Sequence, residues 1–161
     1  MKVRQSNWMN GSAPLYAYNV HSQNGEDGIV KKLFEVLDID HGYVCEFGAC
    51  DGIYLSNTYN IYKNNSRFIP VLIEPDAKQF NEMQTNLADI KHKIALNLFV
   101  SPERQSDNSL DEIFDRLNLK DFHEKFRLLS IDVDSCDYEI WQSLENYRPT
   151  VVIIEINSEY P

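Results

Sequence analysis

Five short apolar runs, each preceded by one segment of helical period, leave this chain few folds to adopt. The runs are Tyr43–Cys45, Val71–Glu74, Ile94–Val100, Leu128–Val133 and Val151–Ile156. Before the first, Ile29, Leu33 and Val36/Leu37 recur at helical spacing, with Asn24 and Asp27 as a cap signal and a stop near Asp40. Ser56 caps a helix through Lys63. Asp76 with Gln79 opens one carrying Phe80, Met83, Leu87 and Ile90 on one face. Ser109-x-x-Glu112 opens the next, with Leu110, Ile113, Phe114 and Leu117, and Asp137 starts the last, with Ile140, Trp141 and Leu144. Pro70 lacks a ladder donor, which places it at the first residue of its strand. Val151–Ile156 is a continuous β-branched run, as expected of a strand covered on both faces.

Strands alternating with single helices predict a parallel sheet with right-handed crossovers. The expected fold class is doubly wound α/β, Rossmann-like, with strand order 3-2-1-4-5. Its switch point lies between the first and fourth strands, so a ligand belongs beyond their C-terminal ends. Those ends carry Glu46–Gly52 and Asp132–Asp137. Met1–His21 has neither period and contains Gly11, Ser12 and Pro14. It reads as an N-terminal arm, anchored through Leu15, Tyr16 and Tyr18, ahead of one α/β domain over residues 22–161.

The loop after the first strand, Gly48-Ala-Cys-Asp-Gly52, is G-x-x-x-G and not the dinucleotide pattern G-x-G-x-x-G. Cys50 stands where the second glycine would let the backbone approach a pyrophosphate. A cofactor without pyrophosphate fits better, and S-adenosylmethionine is one. Its ammonium and sulfonium can be complemented by Glu46 and Asp51. Glu74 ends the second strand 22 residues after Gly52, where a carboxylate can accept hydrogen bonds from both ribose hydroxyls. The competing reading is a tight turn with an incidental acid.

Asp132-Val-Asp134-Ser-Cys-Asp137 is not a calcium loop, because position six holds Asp137 and position twelve Ser143. Asp137 is placed as a helix N-cap. Asp132 and Asp134 can orient a substrate hydroxyl, act as base or bind a metal, and a D-x-D pair also serves nucleotide-sugar transferases. Glu155 and Asn157 can complete a metal or acceptor site with Asp132, although strand-end polar groups are the commoner role. The four histidines have no ligand spacing.

Composition narrows the classes. Lys and Arg number 15 against 25 Asp and Glu, a formal charge of −10, which provides no electrostatic footprint for nucleic acid. Three cysteines without CxxC spacing indicate free thiols in a reducing compartment. With no run near ~20 apolar residues, the expectation is a soluble cytoplasmic protein without a membrane partner.

Taken together, SQNGEDGI (22–29), EFGACDG (46–52), LSNT (55–58), VLIEPD (71–76), FVSP (99–102), NSLDEI (108–113), LLSIDVDSCDYEIW (128–141) and VVIIE (151–155) resemble the FkbM-type S-adenosylmethionine-dependent methyltransferases. The resemblance covers residues 22–161 and implies a class I methyltransferase fold that O-methylates a sugar or other small hydroxylated metabolite. It implies that Glu46, Gly48, Asp51 and Gly52 surround the methionine portion, that Glu74 takes the ribose, and that Phe99 and Val100 lie near adenine. Asp132 and Asp134 would sit beside the transferred methyl and the acceptor, with Ser22 and Gln23 helping to close the site. Two departures fall on this site: Cys50 where relatives tend to have Trp, and Ser135-Cys136 where they have Gly-Asn. Such enzymes normally continue to a sixth and seventh strand, so the expectation is a truncated product, a fragment needing a partner, or a short form that self-associates through the apolar edge of the fifth strand. A non-catalytic module of the same fold is the alternative.

Overall fold

In the computed structural model, residues 13–133 and 136–155 are described. Five parallel strands form one sheet, β1 (Gly42–Phe47), β2 (Phe68–Ile73), β3 (Ile94–Leu96), β4 (Phe126–Ile131) and β5 (Val151–Ile154), in the order β3-β2-β1-β4-β5. This is the expected doubly wound order. The helices are α1 (Ala13–Tyr16), α2 (Glu26–Val36), α3 (Tyr59–Asn64), α4 (Ala77–Asn86), α5 (Leu110–Leu117), α6 (Phe122–Lys125) and α7 (Asp137–Ser143).

The period-2 alternation of the strands divides the core into two layers. Tyr43, Cys45, Phe47, Val71, Ile73, Leu129 and Ile131 pack against α5, α6 and α7 through Ile113, Phe114, Phe122 and Ile140. Val44, Leu72 and Leu128 face the other way, onto Val30, Phe34, Tyr59, Tyr62, Met83 and Leu87 of the region α2 to α4. The connections through α3 and α4 therefore lie on one face and those through α5, α6 and α7 on the other, and this change of face opens the crevice between β1 and β4 at their C-terminal ends.

Several boundaries differ from the sequence reading. Pro70 lies inside β2, not at its start. The Glu74 N–H donates to Leu96 O at 3.0 Å, so Pro70, four residues earlier, also turns its nitrogen toward β3. Pairing with β3 begins only at Val71↔Ile94, and Pro70 interrupts no ladder bond there. The Ile94–Val100 run pairs only as far as Leu96, and β5 is half-buried along its whole length instead of being covered on both faces.

The proposed Asn24/Asp27 cap is absent. Gly25 occupies the N-cap with φ 98°, and Asp27 instead accepts from the N–H groups of Val20, His21 and Ser22 at 2.8–2.9 Å. That carboxylate, with the Gly28 N–H to Tyr18 O bond (3.1 Å), ties residues 18–22 to α2. Leu15, assigned as an anchor, is 81% exposed. Asp137 is the first helical residue rather than the cap, and its Oδ1 accepts from Val133 N at 2.8 Å. The Asp76 and Ser109 caps form as read, accepting from Gln79 N and Glu112 N.

Candidate functional site

At the C-terminal edge of the sheet, the side chain with most partners is Glu46. It sits at the penultimate position of β1, 4% exposed, pointing to the α3 layer. Its Oε2 accepts from Ser56 Oγ and Thr58 Oγ1, each at 2.6 Å, and its Oε1 accepts from Asn57 N at 2.7 Å. Ser56 Oγ also accepts from the Thr58 and Tyr59 N–H groups, so the hydroxyl that opens α3 is anchored on a buried carboxylate. Asn57 Nδ2 continues the network to Ser130 Oγ at 3.0 Å, joining β1 to β4. Burial raises the Glu46 carboxyl above its ordinary value, against the lowering effect of the Ser56, Thr58 and Asn57 donors.

Glu74 stands just beyond β2 and is also 4% exposed. Its Oε2 accepts from Cys50 N and its Oε1 from Asp76 N, both at 2.8 Å. One carboxylate thus fixes the glycine-bounded loop to the start of α4. Asn97 Nδ2 reinforces the corner by donating to Glu74 O (2.8 Å) and Pro75 O (3.0 Å). Within the loop, Asp51 Oδ1 accepts from Ile53 N (2.9 Å) and Tyr54 N (2.7 Å), closing an Asx-type turn.

Both loop glycines answer to the protein's own packing. Gly48 (φ +74°) lies against the Asp132 main chain, and Gly52 (φ +80°) against Leu87 and Met83 of the α4 region. Between them Cys50 adopts φ 47° and is exposed. Burial of its sulfur, then the charges of Glu74 and Asp132, push its thiol up to about 11. Cys45 and Cys50 are free thiols.

On the other side of the crevice, Asp132 is exposed at the end of β4, its N–H donating to Phe47 O at 3.3 Å. Asp134 and Asn157 lie outside the described residues. A cleft of about 130 Å³ brings Asp132 together with Glu155, Asn57, Gln23, Asn24 and Glu26. Gln23 therefore lines this cleft, whereas Ser22 is buried in the Asp27 turn. Beyond β3, Phe99 is 58% exposed and Val100 is 5% exposed in the core. The sequence reading missed Ser56, Asn57, Thr58 and Ser130 as one network. The LSNT run and a polar residue in the β-run of β4 were its visible traces.

These residues suit one half of S-adenosylmethionine better than the other. Each Glu74 oxygen accepts one backbone N–H and, as a carboxylate oxygen, has capacity for a second donor such as a ribose hydroxyl. Glu46 has two oxygens engaged by the Ser56–Thr58 turn, which leaves Asp51 and Asp132 as the better-placed acids for a cationic methionine end. The 130 Å³ cleft is below the roughly 300–1,000 Å³ of small-molecule sites and accommodates only part of such a molecule.

Among solved structures, the chain is similar to the selenomethionine form of the CurJ carbon methyltransferase. The TM-score is 0.44 at 14% identity, over 76% of this chain and 30% of that one. No family model and no curated protein matches the chain. No helix among the described residues is long and apolar enough to cross a membrane.

Proposed function

We propose that this chain binds S-adenosylmethionine at the C-terminal edge of its sheet and transfers the methyl group to a hydroxyl of a sugar or small metabolite, as the FkbM-type resemblance implies. The observation that carries this reading is Glu74. It is a buried carboxylate at the end of the strand next to the glycine-bounded loop, held by two backbone N–H groups. In this reading Glu74 takes the ribose, Asp51 and Asp132 complement the cationic end, and the exposed Phe99 lies toward adenine. Glu46 acts one step back, by holding the turn that lines the acceptor cleft through Leu55 and Asn57.

The bound cofactor supplies an electrophilic methyl on a sulfonium. The chain's contribution is to align the acceptor oxygen with that methyl and exclude water, the larger effect. Asp132 or Asp134 takes the hydroxyl proton, a smaller one. Solvent-exposed Asp132 is placed for this at the mouth of the cleft. In this reading half-buried β5 is the surface on which copies associate, in a cytoplasmic setting that suits the free Cys45 and Cys50 thiols.

Isothermal calorimetry with S-adenosylmethionine tests the site. Saturable binding that Glu74→Ala weakens at least tenfold is expected. A folded sample that binds nothing, or binding indifferent to Glu74→Ala, overturns it. A second reading, a non-catalytic cofactor-binding or interaction module, is favoured by the engaged oxygens of Glu46 and the small cleft. Binding without turnover across a panel of glycans and hydroxylated metabolites would select it.

A further inference from the structure

A concavity with an apolar floor lies away from this edge, on the outer face of the α2–α3 layer. It encloses about 630 Å³, in the range of small-molecule sites of roughly 300–1,000 Å³. Phe34 and Phe68, stacked with centroids 5.5 Å apart, form its floor with Ile61, and Tyr18 stands on the wall. The rim is preformed: Asn65 Nδ2 donates to Asp40 O at 2.9 Å and Arg67 Nη1 to Asp40 Oδ2 at 2.6 Å, joining the turn after α2 to the end of α3.

The charge of the lining is one-sided. Asp27, Glu35, Asp38 and Asp40 contribute to it against the single ammonium of Lys31. Asp40 is paired with Arg67 and Glu35 with Lys32, but Asp27 and Asp38 have no ion-pair partner among the described residues. Asp27 is 4% exposed, and its two oxygens differ sharply. Oδ2 accepts four hydrogen bonds, from the N–H groups of Val20, His21 and Ser22 and from Ser22 Oγ, at 2.7–2.9 Å. Oδ1 is buried and accepts none. Burial pushes this carboxyl up, and the Ser22, Val20 and His21 donors together outweigh it and hold it below its ordinary range. The group is therefore an anion at neutral pH.

Asp27 Oδ1 has no donor and is closed to solvent, so the Asp27 charge acts on the cavity through space, with no ion pair of the described residues to neutralise it. We propose that this cavity is a second ligand site, for an organic ammonium carried on an aromatic or apolar body. The ammonium sits at the open acidic rim beside Glu35 and Asp38, in the field of the Asp27 carboxylate, and the body lies on Phe34, Phe68 and Ile61 beside the Tyr18 ring. The acidic rim and the chain's charge of −10 exclude anionic ligands and favour this cation.

The test uses 2-phenylethylamine and its uncharged counterpart 2-phenylethanol, titrated into the full chain at pH 7 by calorimetry and heteronuclear NMR. Saturable amine binding is expected, with shifts at Phe34, Phe68 and Ile61, and the alcohol at least tenfold weaker. Asp27→Asn should weaken the amine at least tenfold. Should that variant fail to fold, Asn64→Trp, which fills the rim from an exposed position at the end of α3, should abolish binding while leaving the Asp27 turn intact. Glu74→Ala should leave amine binding unchanged, which separates this site from the cofactor edge. No saturation by the amine, equal affinity for the alcohol, or undiminished binding by Asn64→Trp would overturn the proposal.

Discussion

The main-chain oxygen of Asp132 occupies the place where a side chain on Gly48 would begin. A Cβ built on Gly48 would come within 1.7 Å of that oxygen, at a φ of +74° that L side chains rarely adopt. With the Asp132 N–H donating to Phe47 O, the ends of β1 and β4 stay in contact past the last ladder pair, Phe47↔Ile131. Gly48→Ala should therefore destabilise the ligand-free protein by at least about 2 kcal/mol, read as a lower urea midpoint with unchanged slope. Gly52→Ala, whose Cβ would meet movable side-chain atoms of Leu87 and Met83 at 2.8 Å, should cost less. If Gly48 served only a cofactor, the midpoint of the apo protein would not move.

The contrast between these glycines and their sequence reading shows where sequence reasoning stops. Strand order, switch point and the Asp76 and Ser109 caps followed from periodicity and spacing, because period-2 and period-3.6 patterns are local. A loop glycine looks the same whether ligand or protein fills the space beside it. Asp27 was legible as a helix-start acid but not as the anchor of residues 20–22, since its partners precede it on a non-helical turn. Pro70 suggested a strand start because its position next to the short β3 depends on where a distant pairing begins, Val71↔Ile94.

Ser56 should be worth more than a surface cap. Its hydroxyl donates to Glu46 Oε2 and accepts from the Thr58 and Tyr59 N–H groups, all in a buried setting. Ser56→Ala leaves two N–H groups and a carboxylate oxygen short of a partner, at an expected cost of about 2 kcal/mol. Thermal or urea unfolding measures it, and a loss within about 0.5 kcal/mol, the usual span for surface positions, would refute the anchoring role.

Glu46 should make stability fall as pH rises. Its carboxyl is raised in the folded state above the ordinary 4.5, chiefly by burial, so the folded protein holds the proton more tightly than the unfolded chain. Unfolded molecules then bind fewer protons across the window that starts near 4.5, and the unfolding free energy declines with pH there. Glu46→Gln removes the titration and keeps an acceptor for Asn57 N. The stability of the variant relative to wild type should therefore rise steadily from about pH 4.5 upward. A difference that stays flat, or that moves against the variant, would show that the buried carboxyl is not raised.

Cys50 should alkylate slowly for an exposed thiol. Its pKa is pushed up to about 11 by burial and then by the charges of Glu74 and Asp132. Against an ordinary thiol near 8.5, that makes the thiolate roughly 200-fold scarcer at pH 8. The greater nucleophilicity of a more basic thiolate offsets this by roughly tenfold, leaving iodoacetamide about twentyfold slower. Peptide mapping of Cys50 in the native protein, with the urea-unfolded chain as reference, reads the ratio directly. Glu74→Gln should speed Cys50 selectively by removing the charge that most opposes its thiolate, while buried Cys45 stays unreactive in both folded proteins. Alkylation of native Cys50 at the unfolded rate would mean that the Glu74 carboxylate does not face the loop as its 2.8 Å bond to Cys50 N requires.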